Sequence, residues 1–165
     1  MALHQTWFAT HYLKLNDNIF TTVRLVKGLG VTPHLKDVWK KYQKYSVGKR
    51  HEIWVGAMDA PASAERLEDA IVIGNQFLEI SQIPEPLQVY DIRGGTGIDL
   101  VKELEKYYGN DPAWQGFSSR VILVFFLKLQ YLDRDLPESC FDIPLPFVWD
   151  PLHNWRRWRR PEIFL

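Results

Sequence analysis

The stretch of this chain most suggestive of chemistry is a glycine-rich turn between an apolar run and a helix pattern. Leu87 to Ile92 is typical of a strand, Asp91 lies near its end, and a helix pattern begins at Gly97. Such a strand, turn and helix N-terminus can hold an anionic or nucleotide ligand, because the free backbone N–H groups of the helix point at it. The candidate ligand-binding residues are Asp91, Arg93, Gly94, Gly95, Thr96 and Gly97.

The same pattern is also how an ordinary strand-to-helix connection is made, and that interpretation is the commoner one. Glycines tolerate backbone angles that other residues avoid. Thr96, with Asp99 three positions later, has the spacing of a helix cap. In the binding interpretation, Asp91 would accept hydrogen bonds from a ligand hydroxyl or ammonium, and the backbone N–H groups of Gly95 to Gly97 would hold an anionic group. Both interpretations are kept.

The turn resembles the cofactor loop of class I S-adenosylmethionine methyltransferases, in which an acidic residue is followed by alternating glycines and a helix. Asp91, Gly95 and Gly97 match that pattern, whereas Arg93 stands where the family has its first glycine. The resemblance implies a small enzyme that binds S-adenosylmethionine or a nucleotide. The family also needs a long further succession of strands and helices, and only one clear strand follows Gly97. This function is therefore the alternative, and the chain is not assigned to the family.

Two segments rich in basic residues are candidate surfaces for nucleic acid or an anionic membrane. Aromatic rings can stack on bases while arginines meet phosphates, and the same composition suits a membrane interface. A solvated basic face and aromatic packing onto the domain are the commoner explanation of such segments. The first segment contains Lys36, Lys40, Lys41, Lys44, Lys49 and Arg50, and the second contains Trp155, Arg156, Arg157, Trp158, Arg159 and Arg160.

No recognisable catalytic or metal-binding motif occurs in the sequence. The five histidines are scattered without the spacing of metal ligands. Cys140 has no histidine near it in sequence and is interpreted as a small buried residue. Nucleophile-elbow, phosphate-loop and zinc-protease signatures are absent. We therefore predict no catalytic residues, no metal and no cofactor, and the balance of the sequence is against an enzyme.

Hydrophobic periodicity and turn residues predict the elements that would position these groups. An N-terminal hairpin is expected around the Asn16-Asp17-Asn18 turn, and a second hairpin around Gly74-Asn75. The predicted strands are Tyr12 to Leu15, Ile19 to Val26, His51 to Met58, Leu87 to Ile92 and Ser119 to Leu132, and the predicted helices are Pro33 to Tyr45, Ser63 to Ile71 and Gly97 to Tyr108.

These elements predict a single compact α+β domain over residues 1–132, with a mixed, mostly antiparallel sheet and three or four helices. Prolines and tryptophans dominate the remainder, so residues 133–165 are predicted to form a C-terminal arm packed on the same domain. If the hairpin at Gly74-Asn75 is wrong, a three-layer α/β arrangement is the alternative.

Charge and cysteine content favour a soluble cytoplasmic protein. The 20 basic and 20 acidic residues cancel, which argues against a dedicated nucleic-acid binder. The charges are segregated, because residues 1–58 hold nine basic and three acidic side chains and residues 59–111 hold four basic and eleven acidic ones. The single cysteine excludes an internal disulfide. Neither a secretory signal nor an apolar run long enough to cross a membrane is present.

The function expected first is a non-catalytic binding or assembly module that acts through protein–protein contacts, self-association included. Seven tryptophans and seven tyrosines exceed what one small core requires, and such residues dominate interface energetics. The predicted order of hairpin, amphipathic helix, Gly48-Lys49-Arg50 and apolar strand is similar to the core of rhabdovirus-type matrix proteins, a resemblance that implies assembly. This expectation depends on the absence of a pocket beside Gly94 and Gly95.

Overall fold

A mixed sheet of six strands is the centre of the structure, a computed structural model that describes residues 4–26, 42–95 and 97–129. The strand order is β1-β3-β5-β6-β2, and β4 pairs with β3 beside this path. The strands are β1 (His4–Phe8), β2 (Ile19–Leu25), β3 (Arg50–Val55), β4 (Glu65–Arg66), β5 (Ala70–Glu79) and β6 (Arg120–Lys128), and the helices are α1 (Glu85–Asp91) and α2 (Leu100–Tyr108).

The pairing of the strands confirms the predicted α+β class. Only β1 and β3 run parallel, and every other pair in the described residues is antiparallel. The described residues contain two α-helices where three or four were predicted. The three-layer α/β alternative is wrong, because the sheet is mostly antiparallel.

The central strand β6 shows why this sheet forms. Its side chains alternate between two apolar clusters, so both faces of the strand are covered. Leu123 and Phe125 lie on the face covered by α1 and α2, and Val124 and Phe126 lie on the opposite face. A strand covered on both faces is apolar at successive positions, and this continuous run made β6 recognisable in the sequence. The strand predicted at Ser119 to Leu132 is confirmed over Arg120–Lys128.

The first face is covered by the two helices. Helix α2 begins after Asp99, whose side chain accepts a hydrogen bond from the backbone N–H of Lys102 at 2.8 Å, and it ends at Gly109. The helix predicted at Gly97 to Tyr108 is therefore confirmed, but its cap is Asp99 rather than Thr96, which lies outside the described residues. Leu100 and Leu104 point from α2 into the first cluster.

The strand predicted at Leu87 to Ile92 is wrong, because these residues belong to helix α1. Pro86 lies in the first turn of that helix, where a missing N–H does not disturb the hydrogen bonding. Leu87 and Tyr90, three positions apart, are the buried apolar side chains that fit this helix against the sheet. A helix this short contains too few apolar residues for its periodicity to be distinguished from that of a strand, which explains the wrong prediction.

The predicted N-terminal hairpin is also wrong. Leu13–Asn16 forms a short 3-10 turn, and the strand before it is β1, which pairs in parallel with β3. Strand β2 instead pairs with β6, in the register Ile19 to Leu127. The resemblance to matrix proteins began from this hairpin and loses that part of its basis.

The predicted helix at Ser63 to Ile71 and the hairpin at Gly74-Asn75 are both wrong. Ala70–Glu79 is one long strand, β5, with an irregularity in its pairing between Val72 and Gly74. Glycine in the interior of a strand often marks such a bulge rather than a turn. The β-branched residues before it therefore continue directly into the second half of β5.

Several other predictions fall on residues that the structure does not describe. Of the predicted helix Pro33 to Tyr45, only residues 42–45 are described, and Gln43–Tyr45 is a 3-10 turn.

The strand predicted at His51 to Met58 is confirmed as β3 over most of its length. The predicted arm at residues 133–165 lies outside the described residues, so it stays a prediction.

Candidate functional site

A pocket of about 220 Å³ opens beside β2, which is an edge strand of the sheet. Its wall is formed by the end of β1, the turn before β2, β2 itself, the end of α1 and one face of α2. We call it the Lys14 pocket. Its larger polar side chains are Tyr12, Lys14, Arg24, Asp91 and Glu103, and its aromatic side chains include Trp7, Phe8, Tyr107 and Tyr108.

A buried ion pair lies in this wall. The Lys14 ammonium is 2.9 Å from Asp91 Oδ1, and the two side chains are only 3% and 7% exposed. The Thr21 hydroxyl donates to the same oxygen at 2.6 Å. Burial lowers the pKa of Lys14 below its ordinary value, and the negative charge of Asp91 acts against that shift. The Lys14 ammonium also lies 5.1 Å from the centre of the Phe8 ring, within the range of a cation–π contact.

A second buried carboxylate, Glu103, accepts a hydrogen bond from the Tyr12 hydroxyl at 2.7 Å and one from Lys106 Nζ at 3.1 Å. Burial by itself raises the pKa of Glu103, but these bonds and the backbone N–H of Gly97 outweigh it and lower the pKa. Burial and the bond to Glu103 raise the pKa of Tyr12. At neutral pH the pair is therefore an ionised carboxylate and a neutral phenol.

The fourth charged side chain of the wall, Arg24, is held by neutral partners. Its Nε donates to Thr22 Oγ1 at 3.0 Å, and its Nη2 donates to the backbone oxygen of Trp7 at 2.7 Å. The guanidinium carbon lies 5.3 Å from the centre of the Phe8 ring. Arg24 thus links the two edge strands β1 and β2 and presents its charge to the pocket.

The glycine-rich turn does not form the predicted cradle. It joins two helices rather than a strand and a helix, so the premise of the methyltransferase resemblance is wrong. A Cβ atom at Gly95 would lie 2.6 Å from Tyr12 Cε1 and 3.1 Å from Glu103 Oε1. One at Gly97 would contact Glu103 even more closely. The glycines therefore allow Tyr12 and Glu103 to pack against the backbone.

The remaining residues of the turn divide between the surface and the pocket. Gly94 has φ +86°, a conformation that favours glycine. Arg93 is 43% exposed, makes an ion pair with Asp17 at 3.1 Å and lies over the Tyr90 ring. Among the candidate residues of the turn that the structure describes, Asp91 alone lines the pocket. No pocket had been expected beside Gly94 and Gly95, and the pocket found is not lined by either glycine. It is lined by Asp91, however, so the wider expectation that this region has no pocket is wrong.

The basic residues of the first candidate surface are only partly described. Arg50 makes an ion pair with Asp69 at 2.9 Å, so its charge is largely matched. Lys44 Nζ lies 5.0 Å from the centre of the Tyr45 ring. Lys49 lies directly beside Arg50 in the chain. Lys36, Lys40, Lys41 and the whole second surface, Trp155, Arg156, Arg157, Trp158, Arg159 and Arg160, lie outside the described residues.

Sequence reasoning missed Tyr12, Lys14, Arg24 and Glu103, which share the pocket but are far apart in the chain. Tyr12 and Lys14 lie two positions apart in the chain, but the strand predicted there is a 3-10 turn, so that spacing did not predict their shared site. Nothing in the sequence brings Glu103 to them, because their contact depends on how α2 packs beside β2.

No protein-family model, curated protein or solved structure matches this chain. The described residues contain no group of histidine, cysteine, aspartate or glutamate side chains arranged to hold a metal ion. Nor does any helix among them combine the length and the apolar character needed to cross a membrane. The geometry of the Lys14 pocket is therefore the basis for the functional argument.

Proposed function

We propose that this protein binds a small organic molecule in the Lys14 pocket. One observation carries the proposal: a single concave site brings together two buried carboxylates, a buried amine, a phenol and a guanidinium from four separate elements. Ligand sites typically combine apolar walls with a few converging polar groups and shifted pKa values. The sequence had suggested ligand binding at the glycines as an alternative function, whereas the site proposed now lies around Lys14.

Burial of these charges supports a functional interpretation. Burying two ions costs more than the attraction between them returns unless the geometry is favourable, so buried ion pairs are weak contributors to stability. A domain that places Lys14 and Asp91 in the wall of a cavity therefore bears an energetic cost at that wall. The position of the pocket between β1, β2 and α2 also resembles the usual location of ligand sites between packed elements.

A ligand panel tests the proposal directly. We expect at least one class of small metabolite-sized compounds to raise the thermal unfolding temperature, since a ligand at a hundred times its Kd adds about 2.7 kcal/mol. Ala9→Trp places a large side chain at an exposed position of the pocket wall and should abolish the shift. Ala62→Trp, also exposed but outside the wall, is the matched control and should preserve it. Stabilisation that survives Ala9→Trp, or none across the panel, would contradict the proposal.

Assembly through protein–protein contacts is the second candidate function, and exposed apolar side chains favour it. Ile98 is 92% exposed before α2, and Val89 is 60% exposed on α1. Trp7 and Trp54 lie on β1 and β3, the two strands at one end of the strand order, and their rings stack with centroids 5.2 Å apart. Tryptophan is prominent among the residues that dominate interfaces. Nucleic acid or an anionic membrane as a partner of the basic segments is a further hypothesis.

For assembly, we expect the hydrodynamic mass to rise with protein concentration, because exposed apolar side chains favour association. Sedimentation measured over a wide concentration range provides the test. The variant Ile98→Asp should shift the profile towards the monomer, whereas Lys102→Asp, at another exposed position of the same region, should leave it unchanged. A strict monomer at every concentration would exclude self-association.

A further inference from the structure

The charged groups around the Lys14 pocket cancel in pairs, with one exception. Lys14 is matched by Asp91 at 2.9 Å, and Glu103 is matched by Lys106 at 3.1 Å. Arg24 makes hydrogen bonds only to a hydroxyl and a backbone oxygen, and no carboxylate in residues 4–26, 42–95 or 97–129 pairs with it. The wall therefore carries one positive charge that its described neighbours do not neutralise.

The contacts of Arg24 hold its guanidinium in a defined plane. Nε and Nη2 each have a partner, and the Phe8 ring supports the group at 5.3 Å. Two hydrogens on Nη1 and the second hydrogen on Nη2 have no partner among the described residues. Paired N–H groups of this kind bind a carboxylate with two parallel hydrogen bonds. Because the side chain is already ordered, little conformational entropy is lost when an anion binds.

Lys14, another cation of the wall, is affected by the charge of Arg24 even though Asp91 pairs with it. Burial is the main cause of the lowered pKa of Lys14, and the charge of Arg24 adds to it despite the opposing effect of Asp91. The two cations thus repel each other across the wall. A carboxylate bound to Arg24 would relieve that repulsion.

The rest of the wall favours an apolar ring. Trp7, Phe8, Tyr107 and Tyr108 provide aromatic surface, and the volume is about 220 Å³. A cavity of roughly 150 Å³ is sufficient to bind benzene. The Lys14 pocket therefore has room for one six-membered ring with a small polar substituent.

We infer that the Lys14 pocket selects small monocarboxylates with an apolar or aromatic ring, and that Arg24 is the residue that binds their carboxylate. This inference rests on the proposed function and adds the class of ligand. The ring lies against the aromatic wall, and the carboxylate lies on the free edge of the guanidinium. Asp91 and Glu103 do not repel it, because each is already matched by a lysine.

Benzoate and benzamide test this inference, since they share a shape and differ in charge. In calorimetric titrations at pH 7 we expect benzoate to bind about tenfold or more tightly than benzamide, which corresponds to one hydrogen-bonded charge pair. Arg24→Gln should remove that preference. Arg120→Gln, an exposed strand arginine outside the pocket, should keep it and serves as the matched control. Arg24→Lys should retain only part of the preference, because lysine lacks the planar fork.

The possible results separate this inference from the proposed function. Equal affinity for the two compounds, with the binding of both abolished by Ala9→Trp, would overturn the inference and leave ligand binding intact. A preference that persists in Arg24→Gln would also overturn it, because another cation would then bind the carboxylate. Absence of binding by both compounds overturns the inference, whereas absence across the whole panel overturns the proposed function. If Arg24→Gln does not fold, the ratio of benzoate to benzamide affinity in the wild type and in Arg24→Lys still tests the role of Arg24.

Discussion

Replacing Lys14 by methionine should lower the free energy of unfolding by about 3–5 kcal/mol, because it leaves the buried Asp91 carboxylate without a cation. Methionine is an unbranched side chain of similar length, so the main change is the loss of the ammonium, with its ion pair to Asp91 and its contact with the Phe8 ring. In the variant, the hydrogen bond from Thr21 would be the only one that Asp91 Oδ1 retains from the described residues. Urea denaturation at pH 7 measures the loss.

A second variant isolates the charge from the shape. Lys14→Met combined with Asp91→Asn removes both charges, while the asparagine oxygen can still accept from Thr21. We expect this double variant to recover more than half of the lost stability. Lys102→Met is the control, because the Lys102–Glu105 pair is 61% and 48% exposed and should be worth under about 0.5 kcal/mol. A Lys14→Met loss no larger than the control would mean that water screens the Lys14–Asp91 pair.

Acidification should destabilise the protein through His51, which is buried beside the Phe126 ring. Its Nε2 donates to the Lys44 carbonyl at 2.6 Å, and its Nδ1 accepts from the Thr6 hydroxyl at 2.8 Å, so the neutral ring satisfies both partners. Burial lowers the pKa of His51 from 6.5 to about 4, and the nearby charges of His4, Lys44 and Arg24 act in the same direction. The bond to Lys44 opposes this shift.

The sign of the pH effect follows from where the proton binds. Between pH 6.5 and about 4 the unfolded chain takes up a proton on His51 and the folded protein does not, so stability falls as the pH falls. At 1.36 kcal/mol per pKa unit, the full loss is about 3 kcal/mol near pH 4. Chemical denaturation at pH 7, 5.5 and 4, spaced to cover this window, follows the loss.

Two histidine variants distinguish this effect from general acid denaturation. His51→Gln can still donate to the Lys44 carbonyl but does not titrate, so its stability should depend less on pH over the same window. His11→Gln changes an exposed histidine and should retain the wild-type dependence. If His51→Gln and the wild type lose stability in parallel, His51 is not the group responsible.

Elements with strong local signals were predictable from the sequence. The apolar run of β6 and the Gly109 end of α2 each depend on residues within a few positions of one another, whereas the cap of α2 was predicted at Thr96 and is Asp99. Elements with ambiguous signals were not. Pro86 is equally compatible with a strand boundary and with the first turn of α1, and Gly74 fits a turn or a bulge. In both cases packing against β6 or the helices decides, and local sequence does not contain that information.

The residues of the candidate site were harder to predict from the sequence than the elements of the fold. Asp91 was predicted as a ligand-binding residue for reasons that the structure does not support, since it lies at the end of α1 and its carboxylate accepts from Lys14 and Thr21. Arg93 was expected to add charge to a cradle and instead pairs with Asp17. Tyr12 and Glu103, 91 positions apart, had no signal in sequence that joined them.

The sequence by itself determined the α+β class, the central strand and the second helix, because apolar periodicity and capping act over short stretches of chain. Only the tertiary structure decided that Lys14, Arg24, Asp91 and Glu103 line one pocket. The physical reason is that burial, charge pairing and cavity shape arise between elements distant in sequence. Their energies depend on how β1, β2 and the two helices pack together.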